Sequence, residues 1–377
     1  MDLALSETQL MLQGVVREFI DREVPKSRVR EIDESATGFD PALWQQIAGL
    51  GLPAMAVPDD LGGTASSLMD LAVVFESLGE GACPSPLLAS ALCTYAVLAT
   101  GDRNKQRELL PALASGERVM ALALTEPDYG WDAAAVQLEA RRDGGSFRLS
   151  GRKLFVPYAN VADALLVVAR TASDGGAGDG VTLMHVAADT PGVAVRRQSG
   201  WLSEPACEVV FEDVYVPESA VIGELGAAWP AVETALDRTA ALLCAYMLGG
   251  TQRVVDMAVE YSKTRTAFGV PIGTFQRVQD LVISALNDAD AIRWSTYEAV
   301  WKLDEARDDA SLAVSMAKAI ASEGFPRACE NVHYVHAGVG MDLDYGLTNY
   351  TVRSRFLSLY LGDANHHKLR MARLLDL

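Results

Sequence analysis

The sequence predicts an α+β chain in three parts: an N-terminal helical domain over residues 1–120, a middle β-domain over 121–226 and a C-terminal helical domain over 227–377. Two observations support this order. Apolar residues recur at helical spacing in the first and last parts, whereas the middle part has short β-branched runs bounded by turns. With 377 residues, of which 50% are apolar, the chain is long enough to bury a large core.

The first helix is predicted to begin at a capping box. Ser6 is followed three residues later by Gln9, a spacing that satisfies two backbone N–H groups at a helix start. Leu10, Val16 and Phe19 then follow approximate helical spacing. Residues 58–63, with a proline and two glycines, predict a loop before a second amphipathic segment.

The middle part predicts strands. Residues 164–169, 181–186 and 208–216 are short and rich in β-branched side chains. Two glycines between Asp143 and Ser146 indicate a hairpin, and residues 173–180 indicate a loop. Long helical periodicity returns over residues 229–261, 281–303 and 312–335, which predicts three long helices in the last part.

The composition excludes several classes of protein. The formal net charge of −18 disfavours binding to nucleic acid or to an anionic membrane. No run of about 18 uncharged apolar residues predicts a membrane span. The start of the chain has no basic segment before an apolar one, and the five cysteines lack metal-ligand spacing. We therefore expect reduced cysteines, no metal and a cytoplasmic location.

The segment from Arg265 to Gln279 is the strongest functional signal. It contains Arg265, Phe268, Gly269, Pro271 and Gln276 between two predicted long helices. A planar, permanently charged guanidinium suits a diphosphate, and an acidic chain must hold any anionic ligand with such local donors. A helix–helix turn explains the proline and the glycines equally well, but it does not require arginine, phenylalanine and glutamine at these offsets. We interpret the segment as a clamp for a flavin diphosphate.

This Arg, Phe-Gly, Pro-Ile and Phe-Gln pattern resembles the acyl-CoA dehydrogenase flavoproteins, and the resemblance extends over almost the whole chain. It implies that the middle domain is β-barrel-like and that the C-terminal helices form a four-helix bundle. It also implies an FAD cofactor, an acyl-CoA substrate that is oxidised between its α and β carbons, and an electron-transfer flavoprotein or similar acceptor. The resemblance further implies a homo- or hetero-oligomer, because the clamp arginine of this family reaches the flavin of a neighbouring subunit.

Three further positions gain a role from the resemblance. Thr125 begins a Thr-Glu-Pro loop that approaches the flavin ring in the family, and Phe155 occupies a position that packs on the ring. Gly338 belongs to a glycine loop that passes close to the neighbour's flavin diphosphate. Pro157 departs from the pattern because it offers neither a hydroxyl nor an N–H group. Trp131 stands where the family favours serine, and we expect it to narrow the pocket or cover a base.

The catalytic base is the main departure from the family. A glutamate between tyrosine and glycine near the C-terminus usually takes the α-proton, and Leu361 stands there. One branch uses a glutamate on a bundle helix instead, and that position holds Thr239. Neither side chain can act as a base unaided. Asp363 is the nearest substitute, but we favour a helix N-cap for it.

Other possible substitutes are less favoured. We expect Asp237 to point about 200° around its helix from Thr239. His366 and His367 are expected on a solvated helix face, and Asp342 and Asp344 are expected in a surface loop. His336, before the glycine loop, is expected to be structural.

Three hypotheses therefore stay open. The chain is an active FAD-dependent dehydrogenase with a displaced base, a catalytically incomplete subunit whose partner supplies the base, or a relative with different flavin chemistry. Residues 340–345, together with Leu361 and Gly362, are similar to actinobacterial-type members that lack the usual glutamate and work as paired subunits. This similarity favours the second hypothesis.

Overall fold

The structure, a computed structural model, describes residues 4–172, 176–200 and 204–377. Its N-terminal part contains helices α1 (Glu7–Glu23), α2 (Lys26–Glu34), α3 (Pro41–Gly49), α4 (Leu68–Glu80), α5 (Leu87–Ala99) and α6 (Arg103–Ala114). The predicted capping box is present, because Ser6 Oγ accepts from Gln9 N and Gln9 Oε1 accepts from Ser6 N. Helices α4 and α5 are buried along most of their length and form the centre of this part.

The middle part contains two four-stranded sheets. The strands are β1 (Met120–Ala123), β2 (Ala140–Asp143), β3 (Ser146–Pro157), β4 (Ala164–Arg170), β5 (Val181–Ala187), β6 (Val193–Arg197), β7 (Ala206–Pro217) and β8 (Val221–Ile222). Their order is β1-β4-β5-β8 in one sheet and β2-β3-β7-β6 in the other. Among the strand pairs of the described residues in these two sheets, β1–β4 is parallel and the others are antiparallel. The predicted hairpin is present at Asp143 and Ser146, which pair across β2 and β3.

The C-terminal part is built on three long helices: α7 (Trp229–Thr264), α8 (Gln276–Asp304) and α9 (Ala310–His336). A small hairpin, β9 (Thr266–Ala267) and β10 (Val270–Pro271), joins α7 to α8. Helices α10 (Leu347–Leu357) and α11 (Ala364–Leu374) follow, and both pack against α9. The predicted order of helical, β and helical domains is confirmed.

Helix α7 also joins the two helical parts, because it crosses α4 at very short range. A Cβ added at Gly79 would lie 2.0 Å from the carbonyl oxygen of Tyr246, and one at Gly249 would lie 1.8 Å from that of Glu76. A side chain at either glycine would push the helices apart. The close crossing fixes the depth at which residues 236–246 of α7 lie inside the molecule.

A buried ion pair ties α10 to the N-terminal part. Arg353 is 1% exposed, and its guanidinium donates two hydrogen bonds, of 2.8 and 3.0 Å, to the carboxylate of Asp33. Truncating one partner of such a pair leaves a buried charge and typically costs about 3–5 kcal/mol. The pair therefore fixes the segment that leads into residues 358–363.

The described residues also show the surroundings of the cysteines and of the other metal-binding side chain types. All five cysteines are free and buried, and the described part of the chain contains no group of three metal-binding side chains. Among the described helices, none has the length and apolarity to cross a membrane.

Candidate active site

A cavity of about 470 Å³ lies between the middle part and the C-terminal part of the chain. Its walls come from the segment after β1, from the first turns of α7 and from the turn and helix that end the chain. Residues on these walls include Trp131, Asp132, Asp237, Leu361, His366 and Arg370. One of the two usual base positions, Leu361, therefore lies on the wall of this cavity.

Leu361 lies in a turn with left-handed backbone. Its φ is 58° and that of Gly362 is 94°, and Leu361 is only 4% exposed. The carbonyl of Leu361 lies 2.9 Å from His367 Nε2. Because a carbonyl can only accept, Nε2 carries the hydrogen of this neutral ring. On the other side, the ammonium of Lys318 donates to the carbonyl of Gly362 over 2.9 Å.

Asp363 is the N-cap of α11. Its Oδ1 accepts a hydrogen bond of 2.8 Å from the backbone N of His366, so the favoured cap reading is confirmed. The prediction that His366 and His367 occupy a solvated face is wrong. Both rings line the cavity, and His367 is 3% exposed. The polar sequence of α11 did not indicate that these rings line a cavity. Their position results from the packing of the first turn of α11 over the cavity.

Thr239 does not line the cavity, although its neighbours Leu236, Asp237 and Ala240 do. It is fully buried, and its hydroxyl has no hydrogen-bond partner among the described residues. Asp237 accepts from Arg370 over 2.5 and 3.0 Å and from Ser311 Oγ over 2.6 Å. Its carboxylate is therefore engaged in an ion pair that holds α11 against α7.

Aromatic side chains in contact with one another run from this cavity to strand β3. Trp131 is 7% exposed and meets Tyr360 edge to face, with ring centroids 5.8 Å apart. Tyr129 contacts Phe155 in the same way at 5.5 Å, and its hydroxyl donates to the carbonyl of Leu359 over 2.9 Å. Trp131 is therefore a wall of the cavity beside Leu361.

The Thr-Glu-Pro loop packs against β3. Thr125 is buried, and its hydroxyl donates to the carbonyl of Leu154 over 2.6 Å. The carboxylate of Glu126 accepts from the buried ammonium of Lys153 over 2.7 Å. Phe155 lies within the irregular pairing between Lys153 and Val156 and has a φ of 54°. Such a bulge redirects a side chain, and here Phe155 comes beside the loop that contains Thr125.

The clamp residues lie apart from the cavity. Arg265 ends α7, Phe268 lies at the tip of the β9–β10 hairpin, and Gln276 begins α8. All three are exposed, and Phe268 is 98% exposed. The guanidinium of Arg265 makes no hydrogen bond or ion pair with any residue in the described part of the chain. The structure therefore brings these three residues together on one outward-facing loop.

Gly338 lies in an exposed 3₁₀ turn after α9. His336, two residues before it, stacks on Tyr261 of α7 with ring centroids 4.5 Å apart. Its ring nitrogens bond to the carbonyl of Val332 and to the hydroxyl of Tyr345 over 2.8 and 2.9 Å. His336 is therefore structural. Its contact with Tyr261 attaches the 3₁₀ turn to α7, one helical turn before Arg265.

The donors of the clamp fit a flavin diphosphate. An unpaired guanidinium and an exposed phenyl ring in a chain of net charge −18 are suited to an external ligand that is both anionic and aromatic. A Cβ at Gly338 would have no atom within 4 Å, so the turn also leaves space for close approach of a ligand. These residues match FAD in charge and in chemical type.

Comparison with known proteins identifies the family. The N-terminal, middle and C-terminal domain models of acyl-CoA dehydrogenase match residues 6–117, 121–214 and 226–375. The chain belongs to the acyl-CoA dehydrogenase family. It is 29% identical to mitochondrial isobutyryl-CoA dehydrogenase of Bos taurus over 377 residues, which cover 98% of this chain and 89% of that protein. As a member of this family it is an FAD-dependent oxidoreductase.

Solved structures agree over the whole chain. The ChsE4-ChsE5 complex from Mycobacterium tuberculosis matches at 28% identity with a TM-score of 0.89, covering 100% of this chain and 99% of that chain. PigA, solved with FAD and proline, matches at 27% identity with a TM-score of 0.90, covering 100% of each chain. The three-part architecture is therefore shared with flavoproteins of this family.

Proposed function

We propose that this chain oxidises an acyl-CoA thioester between its α and β carbons and that a second subunit completes its flavin site. One observation carries the proposal: the cavity and the clamp lie on different surfaces. No clamp residue lines the 470 Å³ cavity, and Arg265 and Phe268 face away from the chain. A clamp of this kind serves a cofactor that is held by a neighbouring chain.

In this arrangement two sets of residues contact FAD. Arg265 supplies a planar fork to the diphosphate, Gln276 donates beside it, and the turn at Gly338 lets the backbone approach. These three residues act, with Phe268, on the flavin of the neighbour. Thr125 and Phe155 hold the ring of the chain's own flavin from the side of the β-domain. When bound, FAD supplies the acceptor for the β-hydride.

The cavity suits the thioester end of an acyl-CoA. Trp131 and Leu361 provide apolar walls, and Arg373 provides positive charge on α11. Because the chain carries a net charge of −18, the phosphates of CoA require such local cations. Arg373 is 67% exposed at its side chain and is paired only loosely with Asp132, over 3.4 Å, so it is available to an anionic ligand.

The proposed reaction requires two kinds of partner, a neighbouring subunit and an electron acceptor. The neighbouring subunit is a second copy or a related chain, and the reduced flavin passes its electrons to an electron-transfer flavoprotein or a similar acceptor. We place the reaction in the cytoplasm. The absence of a carboxylate at Leu361 and Thr239 means that another group takes the α-proton.

Light scattering and flavin content on the purified chain test the assembly. We expect an oligomer with bound FAD, and a monomer that still holds FAD at micromolar concentration would contradict the shared site. A screen of saturated acyl-CoAs for anaerobic bleaching of the flavin, with and without related partner chains, tests the reaction. Failure of every acyl-CoA under both conditions would show that the proposed function is wrong.

A further inference from the structure

The cavity beside Leu361 contains several groups that can take up a proton, but most of them are engaged. Asp132 pairs with Arg373 over 3.4 Å. Glu233 and Asp237 both pair with Arg370, over 3.2 and 2.5 Å. Each of these carboxylates faces a guanidinium of α11. The carboxylates of the cavity therefore serve to hold α11 in place.

The two histidines differ from each other. His367 uses Nε2 to bond the carbonyl of Leu361 over 2.9 Å, and its Nδ1 is buried without a partner in the described part of the chain. Burial lowers the pKa of His367 to about 3, so the ring stays neutral and fixes the Leu361 turn. It is a positioning residue.

His366 is placed differently. Its backbone N is fixed by Asp363, but neither ring nitrogen makes a hydrogen bond or ion pair with any described residue, and neither is fully buried. The residue lines the cavity. Its ring lies against the turn that replaces the usual base: a Cβ on Gly362 would be 2.5 Å from Cδ2 of His366. Because Gly362 has no side chain, the imidazole of His366 fits beside it.

We propose that His366 is the catalytic base that removes the α-proton of the acyl-CoA in this chain. This inference rests on the proposed function. A ring nitrogen of neutral His366 takes the α-proton, and the electron pair of that C–H bond becomes the new bond between the α and β carbons. FAD, when bound, would supply the acceptor for the β-hydrogen and its electron pair. The imidazolium then returns its proton to water.

The surroundings of His366 keep it in the form that accepts a proton. Burial is the largest effect and lowers its pKa below the ordinary value, and the positive charge of Arg370 and Arg373 acts in the same direction. Asp132 and Asp363 oppose this shift without reversing it. The other titratable groups that line the cavity are Glu233, Asp237 and His367. The ring is therefore neutral at pH 7, as a general base must be.

Flavin reduction by a saturated acyl-CoA, measured in the FAD-loaded oligomer, tests the proposal. His366→Gln should slow reduction about 10²–10⁴-fold, because a general base typically contributes that factor. His366→Glu should restore most of the rate and move the acidic limb of the pH profile toward the pKa of a carboxylate. His185→Gln is a matched control, because His185 is a partly buried histidine on β5, outside the cavity, and burial also lowers its pKa. It should keep the wild-type rate.

A chemical probe tests the same residue without turnover. Diethylpyrocarbonate modifies accessible neutral imidazoles, and peptide mass spectrometry identifies which of the five histidines react. His366 should react with a pH midpoint below 6.5, the ordinary value, and a saturated acyl-CoA should protect it. Reactivity of His366 that acyl-CoA leaves unchanged would overturn the inference, as would a fast His366→Gln variant.

These outcomes separate the inference from the function on which it rests. If the wild type bleaches and His366→Gln bleaches equally fast, the base assignment is wrong and the proposed function stands. If no acyl-CoA bleaches the wild-type flavin under any condition, the proposed function is wrong and the base assignment is wrong with it. A slow His366→Gln variant that binds acyl-CoA normally, and is rescued by His366→Glu, supports both.

Discussion

Two turns of this chain have similar φ values, but one is exposed to solvent and the other is buried. Phe268 and Gly269 have φ values of 54° and 83°, and Leu361 and Gly362 have φ values of 58° and 94°. In each turn a bulky residue in the left-handed region precedes a glycine. Phe268 is 98% exposed, whereas Leu361 is 4% exposed. The same local geometry presents one side chain to another molecule and makes the other a wall of the cavity.

The two turns are stabilised by different kinds of contact. The clamp turn closes its own hairpin, with Ala267 paired to Val270 and the N of Ile272 bonded to the carbonyl of Arg265 over 2.9 Å. The cavity turn depends on distant side chains, namely Lys318 on α9 and His367 on α11. A change near the first turn should therefore act locally, and a change near the second should disturb α9 and α11.

Replacing each glycine by alanine compares the two turns directly. Gly269→Ala adds a Cβ in open space, so it should cost only the backbone strain, about 1–3 kcal/mol. Gly362→Ala adds the same strain and also places a Cβ 2.5 Å from His366 and 3.0 Å from His367. We expect it to lower the free energy of unfolding by clearly more than Gly269→Ala. Equal shifts in thermal unfolding would show that the cavity turn relaxes freely.

Lys318 provides a second test of the cavity turn. Its ammonium donates to the carbonyls of Leu357 and Gly362 over 3.2 and 2.9 Å and to Ser322 Oγ over 2.8 Å. Burial lowers the pKa of Lys318 from 10.5 to about 8. Between these values the unfolded chain binds more protons than the folded chain, so the contribution of Lys318 to stability rises with pH.

The expected result is a pH-dependent difference between the wild type and Lys318→Met. The difference in free energy of unfolding should grow in favour of the wild type by about 1–3 kcal/mol from pH 8 to pH 10.5 and stay flat below pH 8. Denaturant titrations at several pH values measure it. A constant difference across this window would mean that Lys318 keeps an ordinary pKa inside the turn.

The clamp could be predicted from the sequence, whereas the position of His366 could not. The clamp residues are contiguous, so their chemistry can be recognised from spacing alone. His366 could not be recognised in this way, because it follows the cap Asp363 in a helix whose polar sequence is typical of a solvated face. Its position depends on how α11 packs over α7 and α9, which only the folded chain shows. Helices, strands and caps could be predicted because local periodicity determines them.

Arg265→Ala tests the clamp side of the comparison. Losing a charge-assisted contact to a phosphate typically costs about 1.5–3 kcal/mol, so FAD retention should weaken tenfold or more. Arg307→Ala is a suitable control, because Arg307 is also exposed but lies beyond the opposite end of α8. Flavin content after dialysis and a titration of the apo form measure the effect. If both variants keep wild-type affinity, Arg265 does not hold the diphosphate.

Thr239→Val should have the smallest effect, and its sign is informative. The hydroxyl of Thr239 is buried on α7 without a partner among the described residues, and an unsatisfied buried group is costly. Valine has nearly the same shape, so the variant should be as stable as the wild type or more stable by up to about 1 kcal/mol. Because Thr239 does not line the cavity, the rate of flavin reduction should not change.

Thr251→Val on the same helix is the matched control for this sign. Thr251 is equally buried, but its hydroxyl donates to the carbonyl of Met247 over 2.7 Å. Removing this bond should cost about 0.5–1.5 kcal/mol, so the two threonine variants should shift stability in opposite directions. Denaturant titrations of both variants measure the pair. A Thr239→Val variant that reduces its flavin slowly but has normal stability would mean that the hydroxyl of Thr239 contacts the substrate. The contrast between a reactive cavity turn and an inert position on α7 would then be wrong.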